Sequence, residues 1–350
     1  CEQILFKDTT PHGRKETAGQ VAKREDTCDR DVAEKIWKKM NQAMASSQVT
    51  AIVPSALRNA LLLGAPESPT TTLIMMLGDS TAKQQLHSFR CLMHTISGTC
   101  GTSLSHNGRN EAASANLELK FVIGRNTIYL VYVWGRWLFP HKKSPGSEQL
   151  GYSVLSRVER IISKSKKYQE TDHAFIIPMV GAWYRPGQDE DWFESDLKKL
   201  SPWWSALKKD ISGWEESDRR RLILREPLPQ HFPPFDTGIY NPNNLSQVTD
   251  IGHCVPIQSY DFRQSALKKM MFTFVEGSVD ILAVHENMRD LWFAHPEHGQ
   301  ANDCTHYCLA AAYWWNAELI NMMQDFSLSS MTASQAASLT RLRRAVRATL

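Results

Sequence analysis

Thr71-Thr72-Leu73-Ile74-Met75-Met76-Leu77-Gly78-Asp79-Ser80 sets the frame in which the rest of the chain is read. Its apolar part is short, continuous rather than alternating, and β-branched at its start. That is the pattern of a strand buried on both faces in a parallel sheet. Gly78 then permits a tight turn, and Ala82–Cys91 continues as a helix-like run. Ser80 therefore stands at the carboxyl end of a strand, where open parallel sheets form their clefts. Its backbone N–H falls near a helix start, where unpaired N–H groups and the helix dipole stabilise a developing oxyanion. The same residues also suit a plain helix cap made by the side chain of Asp79 or Ser80.

Outward from this stretch, residues 65–70 read as a loop. Further strands are expected at Leu117–Val122, Thr127–Trp134, Ala174–Val180, Arg220–Arg225, Met271–Phe274 and Val279–Val284. Helical spacing marks Val32, Ile36, Met40 and Met44, the segment Tyr152–Lys167, and Asn316–Met323. Strands alternating with helices point to an α/β layered domain. Residues 1–65 form a polar lead-in with one helix, 66–326 the main domain, and 327–350 a basic tail read as a solvated or frayed helix. Trp183, Trp192, Trp203, Trp204, Trp214, Trp314 and Trp315 are mostly core candidates; one on a cleft wall, Trp183 for instance, can stack on a sugar ring.

Composition narrows the class. Hydrophobic residues at 42% and charged residues at 22% give a globular balance rather than a disordered one. A formal charge of +3, with Lys and Arg scattered, gives no reason to expect nucleic acid. No apolar run reaches the roughly 18 residues of a spanning helix. The chain begins at Cys1 rather than Met, which reads as a fragment or processed form whose leader or anchor would lie upstream. The seven cysteines show no zinc-ligand spacing, and by composition alone fit either long-range disulfides or buried thiols. The sequon Asn244-Leu245-Ser246 adds weak support for a secretory route.

A second constellation lies late in the chain: Asp303-Cys304-Thr305-His306-Tyr307-Cys308, followed by Trp315-Asn316. An acid three residues before a histidine can hold the imidazole through one ring nitrogen and leave the other free as a base. Serine needs such a partner to act as a nucleophile at neutral pH. His295, His298 and the two cysteines crowd nearby, but their intervals match no common zinc site, so no metal is expected.

Early Gly-Asp-Ser and late Asp-Cys-x-His-x-Cys, running on into Trp-Asn, resemble the trichome-birefringence-like and PC-esterase family, a branch of the GDSL/SGNH hydrolase-like proteins. His295-Pro296-Glu297 and Arg225-Glu226-Pro227-Leu228-Pro229-Gln230-His231-Phe232 also look like family segments. The resemblance covers roughly residues 70–325. It implies a three-layer α/β/α sandwich with a mainly parallel sheet, and a Ser80–His306–Asp303 triad working through an acyl-serine. It further implies an O-acetyltransferase acting on a polysaccharide or glycan hydroxyl, with an acetyl donor as co-substrate and no bound cofactor. The location implied is the secretory pathway, with the Golgi lumen foremost, and membrane association through a segment outside this chain. Cys91, Cys254, Cys304 and Cys308 become candidate bridge partners, and a bridge at Cys304 or Cys308 would hold the loop of Asp303 and His306.

Within this resemblance the backbone N–H groups of Ser80 and Gly181 are the expected oxyanion donors. Arg225 and His231 are candidates to orient donor or acceptor, Arg225 equally to be a structural ion-pair partner. An acetyl esterase with the same triad, or a non-catalytic carbohydrate-binding homologue, remain as alternatives. Three departures matter. The family's Asn-x-Gly-His-Trp-Trp block is here Met179-Val180-Gly181-Ala182-Trp183-Tyr184, without the Asn and His. Lys83-Gln84-Gln85 replaces the usual Arg-Asn-Gln, and no cysteine-rich amino-terminal subdomain is recognisable.

Overall fold

A computed structural model describes residues 30–46, 69–99, 102–103, 117–141, 153–187, 189–215, 219–233, 237–240, 254–274, 278–295 and 303–329. The expectations for the lead-in before Arg30, residues 65–68, Cys1, Cys28, Cys100, the Asn244 sequon, His298 and the tail beyond Ser329 lie outside these residues.

Seven strands form one sheet: β1 Thr71–Gly78, β2 Thr102–Ser103, β3 Leu117–Ile123, β4 Asn126–Trp134, β5 His173–Met179, β6 Arg220–Arg225 and β7 Asp280–Leu282. Their order is β2-β3-β4-β1-β5-β6-β7. β4, β1, β5, β6 and β7 run parallel, while β3 joins β4 and β2 joins β3 antiparallel at one edge. β1 is central, and its register ends with Gly78 opposite both Trp134 and Met179.

Helices cover both faces, giving a three-layer α/β/α sandwich. Ile74 and Met76 of β1 pack into a layer with α1 (Arg30–Ser46), α2 (Ser80–Ser97) and the last helix; Leu73, Met75 and Leu77 point the other way. On that second face lie α3 (Val154–Ser163), α4 (Lys166–Gln169), α5 (Glu190–Asp210) and α6 (Phe262–Met271). Burial on two faces is why β1 needs an unbroken apolar run. Short α7 (His285–Arg289), a 3₁₀ turn at Trp292–Ala294 and α8 (Leu309–Ser329) complete the chain order. No described helix is long and apolar enough to cross a membrane.

Short β2 and α7 were not expected, the helix expected over Tyr152–Lys167 is split into α3 and α4, and two larger elements differ as well. Met271–Phe274 is not a strand: Met271 ends α6, and Phe272 is 94% exposed. Asp261 starts that helix, its side chain accepting from the N–H groups of Arg263 and Gln264. Helix α5 had no counterpart in the sequence reading, although Phe193, Leu197, Leu200, Trp204 and Leu207 repeat every three or four residues on its buried face. Pro202 inside it obscures the pattern. Trp203, Trp204, Trp214, Trp314 and Trp315 are all core.

Candidate active site

β1 delivers the serine. At Gly78 (φ +153°) an added Cβ would lie 2.1 Å from the carbonyl oxygen of Met179, so any side chain would collide with the end of β5. Asp79 caps α2, its Oδ1 accepting from Thr81 N at 2.9 Å and Thr81 Oγ1 at 2.8 Å. The cap and the position of Ser80 are thus built into the same turn. Tyr132 of β4 donates its hydroxyl to the Asp79 carbonyl at 2.9 Å. Ser80 becomes the first residue of α2, at its positive end.

The histidine comes from the segment before α8. Asp303 Oδ1 accepts from the backbone N–H groups of Thr305 (3.0 Å) and His306 (3.1 Å), folding the segment into a tight turn. Asp303 Oδ2 lies 2.5 Å from His306 Nδ1, and His306 Nε2 lies 2.5 Å from Ser80 Oγ. A carboxylate only accepts, so Nδ1 carries the proton and Nε2 faces the serine hydroxyl with its lone pair. Burial alone would raise the Asp303 carboxyl. The hydrogen bond and charge of His306, with the two backbone donors, outweigh it and hold the group down at about 2. Asp303 is therefore ionised wherever His306 is called on as a base.

Several contacts fix this turn against α2. Gln84, one helical turn beyond Ser80, donates Nε2–H to the Tyr307 carbonyl (2.6 Å) and accepts the Tyr307 N–H on Oε1 (3.2 Å). Asn316 of α8 donates to the Gln85 carbonyl at 3.0 Å. Cys304 is bonded to Cys254, and Cys308 is also disulfide-bonded. Cys91, a candidate bridge partner by resemblance, instead keeps its thiol, buried within the face of α2 that packs on the sheet.

Arg225 ends β6 and reaches back to the same helix. Its Nη2 donates to Thr81 Oγ1 at 2.7 Å and its Nη1 to Gln85 Oε1 at 3.0 Å. It makes no direct ion pair with a described residue, so the ion-pair expectation is replaced by a relay through the Thr81 hydroxyl to Asp79. Burial lowers its pKa to about 10, which leaves it charged at neutral pH. Arg225 lines a crevice with Thr81, Val180, Gly181, Ala182, Leu228, Gln230 and Thr305.

His231 does not face this crevice. It is fully buried; its Nδ1 lies 2.7 Å from His295 Nε2 and its Nε2 3.0 Å from the Arg289 carbonyl oxygen. His295 Nδ1 in turn meets the His306 carbonyl oxygen at 2.5 Å. Burial pushes both imidazoles down, His231 to about 4 and His295 to about 3. Buried and turned away from the crevice, the pair braces the Asp303–His306 turn from behind. Gly181 lines the crevice, and an added Cβ there would press on Pro227 at 3.0 Å. Its carbonyl accepts from the buried Arg263 at 2.9 Å. Met179 is core, and Ala182 brings no polar group to the crevice. Trp183 is 40% exposed with the Arg136 guanidinium 3.9 Å above its ring.

The clamp residues Thr81, Gln84 and Gln230 were missed. Gln84 carried a usable signal, its spacing of four from Ser80 on one helix face; Gln230, which donates to Thr305 Oγ1 at 2.9 Å, carried none. Among the described residues no group of three or more His, Cys, Asp or Glu is placed to hold a metal ion.

Fold and site together define an α/β sandwich carrying a Ser–His–Asp relay at the carboxyl edge of its parallel strands. No family model matches the chain, and no curated protein matches it. Among solved structures, the cytosolic domain of the T. maritima FeoB iron transporter in a GDP form aligns at 11% identity and TM-score 0.20. That alignment covers 73% of this chain and 96% of the other, a likeness too low to bear on fold or function.

Proposed function

We propose that this protein is a serine O-acyltransferase that moves an acetyl group onto a polysaccharide or glycan hydroxyl. The observation that carries the reading is the continuous relay from Ser80 Oγ through His306 to Asp303. Ser80 attacks the acetyl carbonyl of the donor while its proton passes to His306 Nε2. The tetrahedral intermediate collapses, the donor's leaving group takes that proton, and acetyl-Ser80 remains. A sugar hydroxyl then gives its proton to Nε2 and attacks the acyl carbon, releasing the ester and restoring the serine O–H. Asp303 keeps the imidazole in the required tautomer and stabilises the imidazolium.

The glycan class rests on the resemblance of the motifs, with exposed Trp183 as a stacking surface in keeping with it. The disulfides at Cys304 and Cys308 support an oxidising compartment such as the secretory pathway. One observation favours esterase activity as a second reading: the side chains of His306 and Asp303 are 30% and 39% exposed, so water can reach the acyl-enzyme. Intact-protein mass spectrometry after incubation with a small acetyl donor tests the reading. An adduct of about 42 Da, the mass of one acetyl group, is expected on the wild type and not on Ser80→Ala. Candidate oligosaccharides added next separate transfer from hydrolysis. A folded wild type that takes up no acetyl group from any donor would sink both enzymatic readings.

A further inference from the structure

Resting on that acyl-serine reading, we infer that Arg225 is a catalytic residue whose guanidinium binds the acyl oxygen as it becomes an oxyanion. The position calls for such a group. The family block would place a side-chain amide at residue 179, where Met179 is instead buried in the core. Neither Ala182 nor Val180 brings a side-chain hydrogen-bond donor to the crevice. Besides backbone N–H groups, the polar lining is Thr81, Arg225, Gln230 and Thr305. Thr81 Oγ1 is committed as a donor to Asp79, and Gln230 Nε2 donates to Thr305. Among the described lining residues, Arg225 is the one with a buried side-chain polar atom that has no partner: its Nε is unbonded, while Nη1 and Nη2 are occupied by Gln85 and Thr81.

Chemistry favours the same assignment. A guanidinium buried without a carboxylate in contact is costly to keep charged. Here its nearest compensation, Asp79, acts through the Thr81 hydroxyl rather than directly. Two side-chain acceptors and the face of Trp315, 5.2 Å from the guanidinium carbon, fix the plane of the group in advance. A donor fixed in advance is the arrangement that stabilises a developing oxyanion without reorganisation. The rival account makes Arg225 a positioning residue that merely ties α2 to β6.

The full chain with p-nitrophenyl acetate separates these accounts. Acylation rate constants are measured per titratable Ser80 for the wild type, Arg225→Lys, Arg225→Gln and Arg225→Met, alongside affinity for a small alkylboronic acid that forms a tetrahedral anionic serine adduct. Loss of one oxyanion donor predicts a fall of about 10²–10³-fold in the acylation rate of Arg225→Met, with KM little changed. The lysine variant, which keeps the charge but not the planar fork, should fall less, and boronate affinity should drop in step with rate across the series. Where the methionine variant does not fold, the lysine and glutamine variants carry the comparison. A folded glutamine variant acylating within about threefold of wild type overturns the assignment. So does a fall in rate with boronate affinity unchanged. If the wild type itself forms no acetyl-serine, the acyl-serine reading fails and this inference with it; normal wild-type acylation with unaffected variants removes only Arg225.

Discussion

At the scale of single residues, the three groups of the relay were legible because each belongs to a local motif with chemical meaning. Ser80 follows a strand and a glycine, and Asp303 sits three residues before His306. The residues that hold them together were not legible, since their partners are remote: Gln84 meets Tyr307 across 223 positions, and Arg225 meets Thr81 across 144. The spacing of Gln84 from Ser80 puts it on the right helix face, but no local pattern encodes either pairing. Gln84 offers a direct check. Replacing it with leucine leaves the Tyr307 N–H and carbonyl buried without partners, at a cost of about 1–3 kcal/mol per group. His306 would then lose its fixed distance to Ser80. Gln84→Leu should therefore lower kcat by more than tenfold, about 1.4 kcal/mol or more of barrier, while Gln84→Glu, which keeps one acceptor, should retain more activity. Equal kcat for wild type and the leucine variant would show that the clamp is dispensable.

At the scale of elements, strands announced themselves better than helices. β1 and β5 are buried almost throughout and carry unbroken apolar runs (Leu73–Leu77 and Ala174–Met179) because both faces are covered, and β3 alternates where the sheet edge is less protected. Helix α5 was passed over because Pro202 interrupts its pattern, and the end of α6 was misread because the methionine- and phenylalanine-rich run Met271–Phe274 imitates a strand. The turn of Asp303 and His306 is an element of another kind, tied to a loop 50 residues upstream by Cys254–Cys304. Closing a loop of that length stabilises the folded state by about 4 kcal/mol in the chain-entropy account. The Cys254–Cys304 bond lies outside the sheet. Cys254→Ala should therefore depress esterase or transferase turnover while leaving the far-ultraviolet circular dichroism of the α/β layers close to wild type. Unchanged turnover would mean that Gln84 and the His231–His295 brace suffice.

At the scale of the whole molecule, the layered fold creates interior sites for groups that water would otherwise charge. Burial holds His173 down to about 4, with nearby Arg219 adding to the effect. It also lowers His285, against the opposing pull of Asp261, and neither ring nitrogen of His285 has a hydrogen-bond partner among the described residues. Between about pH 6.5 and pH 4 the unfolded chain binds protons at these imidazoles that the folded chain does not, so stability must fall as pH falls. Asp303, held at about 2, adds a further loss only below the ordinary carboxylate range. Urea unfolding midpoints should thus be lower at pH 5 than at pH 7. Identical midpoints would mean that these histidines take up protons in place.

The same fold dictates when the site comes into being during synthesis. Ser80 and His306 are 226 positions apart, and β1 cannot be flanked on both sides until β5 has been made. At roughly 5–20 residues per second, tens of seconds separate the emergence of the serine from that of its base. Over that interval the nascent chain carries an ordinary hydroxyl, inert toward activated esters in the surrounding fluid. On the proposed acyl-serine reading, chemical competence arrives as a late event in the life of each molecule, and acyl-labelling of Ser80 would count only chains whose synthesis has passed α8.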